Sequence, residues 1–313
     1  MQKKIILILL LVFSCTRLPS SNGDNNEIII FCSDEDKNLV KFKIDDTFSN
    51  YINTPIEENV YDLSWINPID FKKYKFHKNI LIISLIQPED STIDLLYKKF
   101  TKQYENNSLF SLYNLFSKNQ VIIPIGSHNS ITFLDFFETN QNWIVDEFNN
   151  NIDLNFKNSL LEKAKNDSII SILNNKFYLD AHIDIDYQVL DNKDNFFRIG
   201  RGTPYRWLLF SKIDKTYRNN IWTKFEEIIN ENIEGLDISN YYKSNDGEFF
   251  RGLYEHHESE TGGPLFIYLF DNNNNNEVIL ISGFVNNPGK KKYKILKELE
   301  TITKNIKEIK NEI

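Results

Sequence analysis

Two adjacent histidines stand among acidic residues in the stretch YEHHESETGGPLF, Tyr254–Phe266. Imidazole and carboxylate groups bind zinc and transfer protons, so His256, His257 and Glu258 are candidates for a metal site or for an acid/base centre. Neighbouring residues on a strand point to opposite faces, however, and the HExxH spacing of a helical zinc site does not occur in the sequence. We therefore predict the polar end of a strand followed by a tight Gly-Gly-Pro turn, and we assign no metal ligand here.

A second group of candidates lies in YLDAHIDIDYQVL, Tyr178–Leu190, where apolar and polar residues alternate. Alternation with a period of two predicts a β-strand with one solvated face, and Asp180, His182, Asp184 and Asp186 would share that face. Such a row could bind a divalent ion or act in acid/base catalysis if a neighbouring strand supplied a further ligand. The simpler interpretation is a solvated strand face whose acids pair with arginines of the following strands, Arg198, Arg201 or Arg206.

Three further motifs indicate structure rather than chemistry. Cys32 lies in an apolar, strand-like run with acidic neighbours, which is typical of a buried thiol and not of a reactive one. Ser127 and His128 follow a strand without the elbow motif of a serine hydrolase, so we interpret them as the start of a helix. Gly200 and Gly202 lack the third glycine of a dinucleotide-binding loop. The sequence therefore predicts no catalytic residue, no metal and no cofactor.

The amino terminus has the pattern of an export signal. Two lysines precede the apolar run Ile5–Phe13, which is shorter than the roughly 20 residues that span a bilayer. The four residues Val12–Cys15 resemble a bacterial lipobox, which implies cleavage before Cys15 and acylation of that cysteine. We predict a lipoprotein signal peptide over residues 1–14.

The residues that follow the signal are predicted to link a lipid anchor to a folded body. Residues 15–26 are polar and contain Pro, Ser and Gly, which is typical of a flexible tether from the lipidated Cys15. The net charge is −8 and no dense lysine or arginine stripe occurs, so nucleic acid is not expected as a partner. Thr16 follows the cysteine in place of Asp, which by analogy with familiar sorting rules favours the outer membrane.

The body of the chain is predicted to divide near Asn149–Asn151. Helical periodicity over Ser130–Asn149 and over Leu154–Leu173 brackets this point. We expect an N-terminal α/β subdomain over residues 27–150 and a C-terminal α+β subdomain over residues 151–313. Because strands occur in runs between helices, the predicted class is α+β, with antiparallel sheets and helices packed on one face.

Several elements have clear patterns of their own. Asn79–Ile86 is apolar on both faces and predicts a central strand. Pro264–Phe270 and Glu277–Val285 predict a hairpin that closes over the run Asn272–Asn276. After Gly289, apolar residues recur at helical spacing and predict a final amphipathic helix.

The order of these segments resembles an uncharacterised family of Bacteroidetes lipoproteins, domain of unknown function family 4837. The resemblance covers nearly the whole mature chain and is strongest in the last third. Its segments are Cys15 with the signal, Asn26–Phe31, Lys78–Leu85, Tyr205–Lys212, Arg251–Glu255, Gly262–Phe266, Ser282–Val285 and Pro288–Lys292. The resemblance implies an envelope lipoprotein of unknown activity, and it supplies no catalytic residue.

We therefore expect a lipid-anchored cell-envelope protein that acts by binding or scaffolding rather than by catalysis. Its partners would be the membrane, through Cys15, and another envelope protein or a glycan. The alternative is a metal-assisted hydrolase that uses the loop at His256 and His257 or the face Asp180–Asp186. The two hypotheses differ in one geometric requirement, because a hydrolase needs at least three of these side chains to converge in one cleft.

Overall fold

The fold was described from a computed structural model covering residues 18–85, 91–101, 109–271 and 276–309. The predicted signal peptide, Cys15 and residues Asn272–Asn275 of the asparagine run lie outside the described residues. Within these ranges, no helix is long and apolar enough to cross a membrane.

The first half of the chain is built on a five-stranded sheet in the order β4-β1-β5-β7-β6, in which only β6 runs antiparallel to its neighbour. A separate hairpin pairs β2 with β3. The strands are β1 (Glu27–Phe31), β2 (Tyr51–Asn53), β3 (Glu57–Asn59), β4 (Asp62–Ile66), β5 (Asn79–Ser84), β6 (Leu112–Tyr113) and β7 (Val121–Gly126). The helices are α1 (Asp34–Thr47), α2 (Phe71–Tyr74), α3 (Ser91–Thr101) and α4 (Ser130–Leu161), with a 3-10 turn at Pro68–Asp70.

The second half is built on a seven-stranded antiparallel sheet in the order β12-β13-β14-β15-β11-β10-β9, and β8 pairs with β16 beside it. The strands are β8 (Leu179–Asp180), β9 (Gln188–Lys193), β10 (Phe196–Arg201), β11 (Tyr205–Asp214), β12 (Leu236–Asn245), β13 (Phe250–His256), β14 (Thr261–Asp271), β15 (Glu277–Asn286) and β16 (Lys307–Glu308). The helices are α5 (Asp167–Phe177), α6 (Ile221–Asn232) and α7 (Tyr293–Lys304), with a 3-10 segment at Lys215–Asn220.

The predicted α+β class is confirmed, and the antiparallel sheet is that of the second half. The sheet of the first half is mainly parallel, as the α/β assignment of residues 27–150 requires. Helices cover both faces of each sheet, where packing on one face was predicted. In the first sheet, Ile30 packs with α1 and α4 while Ile82 packs with α3, and in the second sheet Ile281 packs with α7 while Leu280 packs with α6. Strands that are apolar on both faces need a helical layer on each side.

The division predicted near Asn149–Asn151 falls inside one continuous helix, α4. Asparagine disfavours a helix interior when it competes for backbone hydrogen bonds. Here the amide of Asn151 instead donates to Asn79 Oδ1 at 2.8 Å and to the carbonyl of Lys78 at 3.1 Å. Asn151 therefore satisfies a loop carbonyl and a side-chain amide of the first half, and the helix continues through it.

The long strand predicted over Tyr178–Leu190 is wrong, because only its two ends are strands, β8 and β9. The segment between them is bonded to the turn that joins α4 and α5. The amide of Ile185 donates to Ala164 O at 2.8 Å, and the amide of Asn166 donates to Ile183 O at 2.8 Å. Burial in this loop does not follow the alternation, because the polar His182 and Asp184 are buried while the apolar Ile185 and Val189 are exposed.

The tether predicted over residues 15–26 is also shorter than expected. Residues 19–24 lie against the amino-terminal ends of β5 and β7, where Ser20 bridges to Lys118 and Asn22 bridges to His77. The amide of Asn22 donates to Phe76 O at 2.8 Å. Polar composition predicted flexibility, but these polar groups find backbone partners.

Candidate binding cleft between the two halves

A cleft of about 840 Å³ opens where the two halves of the chain meet. Three segments line it: the loop and strand Pro55–Asn59 from the first half, the β13–β14 hairpin, and the loop Pro288–Lys292 before α7. Its volume lies within the range of about 300–1,000 Å³ that is usual for ligand sites. The segments Arg251–Glu255, Gly262–Phe266 and Pro288–Lys292, which carried much of the sequence resemblance, all contribute residues to this cleft.

The wall from the first half is held by one buried carboxylate. Glu58 accepts hydrogen bonds from the backbone N–H of Lys292, at 2.9 and 2.7 Å, and from that of Tyr293, at 2.9 Å. Thr54 Oγ1 also donates to Glu58, at 3.0 Å. An anionic acceptor at a helix amino terminus satisfies otherwise unpaired N–H groups and complements the helix dipole. Glu58 therefore fixes the start of α7 against the β2–β3 hairpin.

The β13–β14 hairpin forms the floor, and it places the predicted Gly-Gly-Pro turn differently. The chain reverses at His257–Glu260, with Glu260 at φ +49°, while Gly262 and Gly263 lie inside β14. A Cβ on Gly262 would lie 2.4 Å from Tyr254 O, and one on Gly263 would lie 1.9 Å from Val285 O. The glycines are thus required by close backbone approach within the sheet and not by the turn.

The paired histidines have separate partners. His256 Nδ1 lies 3.2 Å from Ser259 Oγ, and His257 Nε2 is hydrogen bonded to Asp237 of β12. This hydrogen bond, together with the charge of Asp237, raises the pKa of the exposed His257 imidazole. Glu258 is exposed in the turn. The predicted polar strand end agrees with this arrangement, but the turn lies at His257–Glu260 and not at Gly262–Pro264.

The candidate row on the second segment is divided in the structure between two buried residues, His182 and Asp184, and two exposed ones, Asp180 and Asp186. Asp184 is buried and forms ion pairs with Arg201 at 2.6 Å and with Lys163 at 3.3 Å. Burial raises the pKa of Asp184, but the N–H of Asp186 and the cations Lys163 and Arg201 outweigh it, so its pKa lies below the usual value. His182 Nε2 lies 3.0 Å from Lys163 O, while Asp180 is exposed in β8.

Of the three arginines that were predicted to pair with these acids, Arg201 does so and Arg198 and Arg206 do not. Arg201 pairs with Asp184 and, at 3.1 Å, with Asp186. Arg198 pairs with Asp191, and Arg206 pairs with Glu298 at 3.2 Å. Across the part of the chain that the structure describes, no group of three or more His, Cys, Asp or Glu side chains is arranged to hold a metal ion. His256 and His257 both line the cleft with Glu255 and Glu260, but within the described ranges these side chains are not arranged as the ligand set that a metal-assisted hydrolase requires.

The cleft combines apolar walls with charges of both signs. Ile56 is 75% exposed and, with the partly buried Leu253, offers apolar surface. Glu57, Glu255 and Lys290 are exposed on the lining, and none of them has an ion-pair partner within the described ranges. Lys291 pairs with Asp62 at 2.9 Å. Such a site suits an extended ligand that carries both apolar and charged groups.

The floor of this cleft contains the histidines that stand out in the sequence, whereas the opposite wall has no sequence signature. Pro55–Asn59 has no motif, and Glu58 is an ordinary acid in a short polar strand. One signal was present, because the loop Pro288–Lys292 precedes a helix whose first turn contains no acid and no capping side chain of its own. The first backbone N–H groups of a helix without its own capping side chain need a hydrogen-bond acceptor from another part of the fold.

Two family models match the chain, one on each side of the turn between α4 and α5. The model DUF8532, described as a domain of unknown function, matches residues 21–161. The model DUF4837, also described as a domain of unknown function, matches residues 166–305. No curated protein matches the chain.

Solved structures with similar backbones are distant. The Ran-binding protein Mog1p of Saccharomyces cerevisiae has 8% identity and a TM-score of 0.31, over 42% of this chain and 90% of that chain. A mutant of Mog1 has 8% identity and a TM-score of 0.32, over 43% and 92%. A crystal structure from Bacteroides thetaiotaomicron has 11% identity and a TM-score of 0.26, over 43% and 46%. Likenesses at this distance carry no functional argument.

Proposed function

Residues 166–305 belong to the DUF4837 family of domains of unknown function, and on this premise we propose that the chain is a lipid-anchored envelope protein that binds a partner in the cleft between its halves. The observation that carries the proposal is the construction of the cleft. Both halves contribute walls, and a buried carboxylate, Glu58, holds them together. A site that is preorganised in this way loses little conformational entropy on binding.

The lining favours an extended protein segment as the ligand. Apolar contact is available at Ile56 and Leu253, while Glu57, Glu255 and Lys290 carry charges of both signs that have no ion-pair partner among the described residues. Peptide segments carry side chains of each of these classes, whereas a neutral glycan would leave the charged groups without partners. We therefore favour another envelope protein over a glycan.

The anchor is the second part of the proposal. The lipobox-like residues Val12–Cys15 support acylation at Cys15, and Thr16 supports retention at the outer membrane. Mass spectrometry of protein purified from membranes tests this directly. We expect a mature chain that begins at Cys15 and carries acyl chains, and we expect Cys15→Ser to remain unprocessed. An unmodified Cys15 in the mature chain would contradict the anchor.

Photo-crosslinking in cells tests the cleft. A photoreactive residue at position 56 lies on the cleft wall, and position 69 provides a control of equal exposure, since Ile56 is 75% and Ile69 is 78% exposed. We expect a discrete, protease-sensitive adduct from position 56 that is absent from position 69. Leu253→Arg, which fills the floor of the cleft, should abolish the adduct.

The outcomes separate the proposal from its alternatives. Equal labelling from both positions would contradict a specific site in the cleft. An adduct that resists protease and is removed by glycosidases would identify a glycan in place of a protein. An adduct that persists in Leu253→Arg would show that the partner touches Ile56 without entering the cleft.

A further inference from the structure

The chain leaves the folded body only a few residues after Cys15. The backbone N–H of Lys118 donates to Pro19 O at 2.9 Å, and Ser20 forms a bridge with the same residue. Positions 15 to 19 are four residues apart, and an extended chain covers about 3.5 Å per residue, so this connection reaches at most about 14 Å. A lipid on Cys15 would therefore keep Pro19 within about 14 Å of the bilayer surface, with Lys118 hydrogen bonded to it.

The surface around this point carries lysines that form no ion pair within the described ranges, although Lys75 lies over the rings of Phe76 and Phe116. Lys118 is exposed in the β6–β7 loop, and Lys72, Lys73 and Lys75 lie in or after α2. Within the described ranges, none of these four lysines forms an ion pair, although the chain as a whole is acidic. Electrostatic attraction between unpaired lysines and anionic headgroups acts over a screening length of about 8 Å at physiological salt.

Exposed apolar side chains stand beside these cations. Leu18 is 36% exposed next to Pro19, and Leu115 is 41% exposed in the loop that carries Lys118. We define Leu18, Lys75, Leu115 and Lys118 as the anchor face. Leucine beside lysine is a combination suited to a bilayer interface, where the apolar group enters the acyl boundary and the ammonium group meets phosphate.

The loops of the anchor face are fixed to one another. Gln120 Nε2 donates to Lys75 O and to His77 O, each at 2.7 Å, and Ser117 Oγ donates to Phe76 O at 3.1 Å. Because both loops are held to the segment that leads to Cys15, the lysines keep a set position relative to the anchor.

The geometry points to the anchor face as the surface that lies against a phospholipid leaflet containing anionic headgroups, so that the anchor sets the orientation of the protein as well as its location. This inference rests on the proposed acylation of Cys15. In this orientation the carboxyl ends of the parallel strands, near Ile131 at the start of α4, lie farther from the bilayer than the anchor face. The difference is about 20 Å, the length of β7.

Fluorescence quenching by headgroup-labelled lipid tests the orientation. The acylated full-length protein is reconstituted into phosphatidylcholine vesicles with 30% phosphatidylglycerol (roughly the share of anionic lipid that gives a strong surface potential) and a spin-labelled headgroup lipid. A fluorophore is attached at Leu115→Cys or, as the control on the same half, at Ile131→Cys; the native Cys32 is buried. We expect at least threefold stronger quenching at position 115 than at position 131.

Charge reversal provides the second measurement. Lys75→Glu/Lys118→Glu should reduce the difference in quenching between positions 115 and 131 at least twofold. Lys37→Glu/Lys41→Glu, which makes an equal change of net charge on α1, should leave that difference unchanged. Phosphatidylcholine alone should lower the quenching at position 115.

Mass measurement of the purified protein separates the two proposals. Equal quenching of positions 115 and 131 in protein whose acylation has been verified would overturn the orientation and leave the anchor intact. Protein without acyl chains would overturn both, since the reach of the connection would no longer apply.

Discussion

The side chain of Glu58 lies at the amino terminus of α7, where it accepts a hydrogen bond of 2.9 Å from the backbone N–H of Tyr293 across the boundary between the two halves. Glu58 also accepts a hydrogen bond from the backbone N–H of Lys292, and Glu58 is only 9% exposed. The residues are 235 positions apart in the chain. This contact makes the stability of the second half depend on a residue of the first.

Glu58→Ala should therefore destabilise the protein. It leaves two buried N–H groups without an acceptor and removes a negative charge from a helix amino terminus, which costs about 2 kcal/mol. The free energy of unfolding in urea measures this, with Glu57→Ala, on the exposed neighbour, as the control. Equal effects of the two substitutions would contradict the capping role.

Gly263→Ala should destabilise the sheet of the second half by about 3 kcal/mol, the upper range for an overpacked site. The new Cβ would lie 1.9 Å from Val285 O, which is backbone and cannot rotate away. Gly202→Ala is the control, because its Cβ meets no atom nearer than 3.9 Å. Thermal unfolding of the two variants should differ clearly, and similar melting temperatures would show that β14 and β15 can separate without loss.

Arg251 should be necessary for stability because it forms an ion pair with a buried acid, Glu300. Its guanidinium bonds to Glu300, whose side chain is 6% exposed, and to Asp246 at 2.7 Å. Arg251→Met leaves Glu300 buried with only Lys297 at 4.0 Å, and we expect a loss of about 3 kcal/mol.

A double-mutant cycle separates this loss from lost packing. Arg251→Met/Glu300→Leu removes both charges, and urea unfolding should recover the greater part of the lost stability. If the double variant is as unstable as Arg251→Met alone, the apolar stem of the arginine, and not the ion pair, is what the fold requires.

The ion pairs of Asp184 should give the protein a measurable sensitivity to acid. The pKa of Asp184 is lower in the folded state than in the unfolded chain, where it is about 3.9. The folded state thus binds fewer protons, and the stability from this group is fully present above about pH 4 and is lost as pH falls through the folded pKa.

The free energy of unfolding of the wild type and of Asp184→Asn, measured between about pH 5 and pH 2, tests this expectation. The difference between the two should shrink as pH falls. Asp186→Asn is the control, because Asp186 contacts the same Arg201 but its side chain is 61% exposed. A constant difference across this range would show that Asp184 does not titrate between the two states.

What the sequence determined by itself was local. The strands β5 and β7, the hairpin of β14 with β15, and α7 all follow from apolar periodicity, which depends on neighbours within one turn or one strand. The α+β class follows from the order of these elements. The same reasoning failed at Tyr178–Leu190, because alternation does not distinguish a strand from a loop whose carbonyls and amides bond to another turn.

Only the tertiary structure decided which candidate residues meet. It gave His256 and His257 different hydrogen-bond partners, and it brought His182 and Asp184 to Lys163 while Asp180 stayed exposed in β8. It also joined Glu58 to the start of α7, a contact between residues 234 and 235 positions apart that no local pattern encodes. Burial and hydrogen-bond satisfaction act through space, so a cleft formed by distant segments becomes visible only when the chain has been folded.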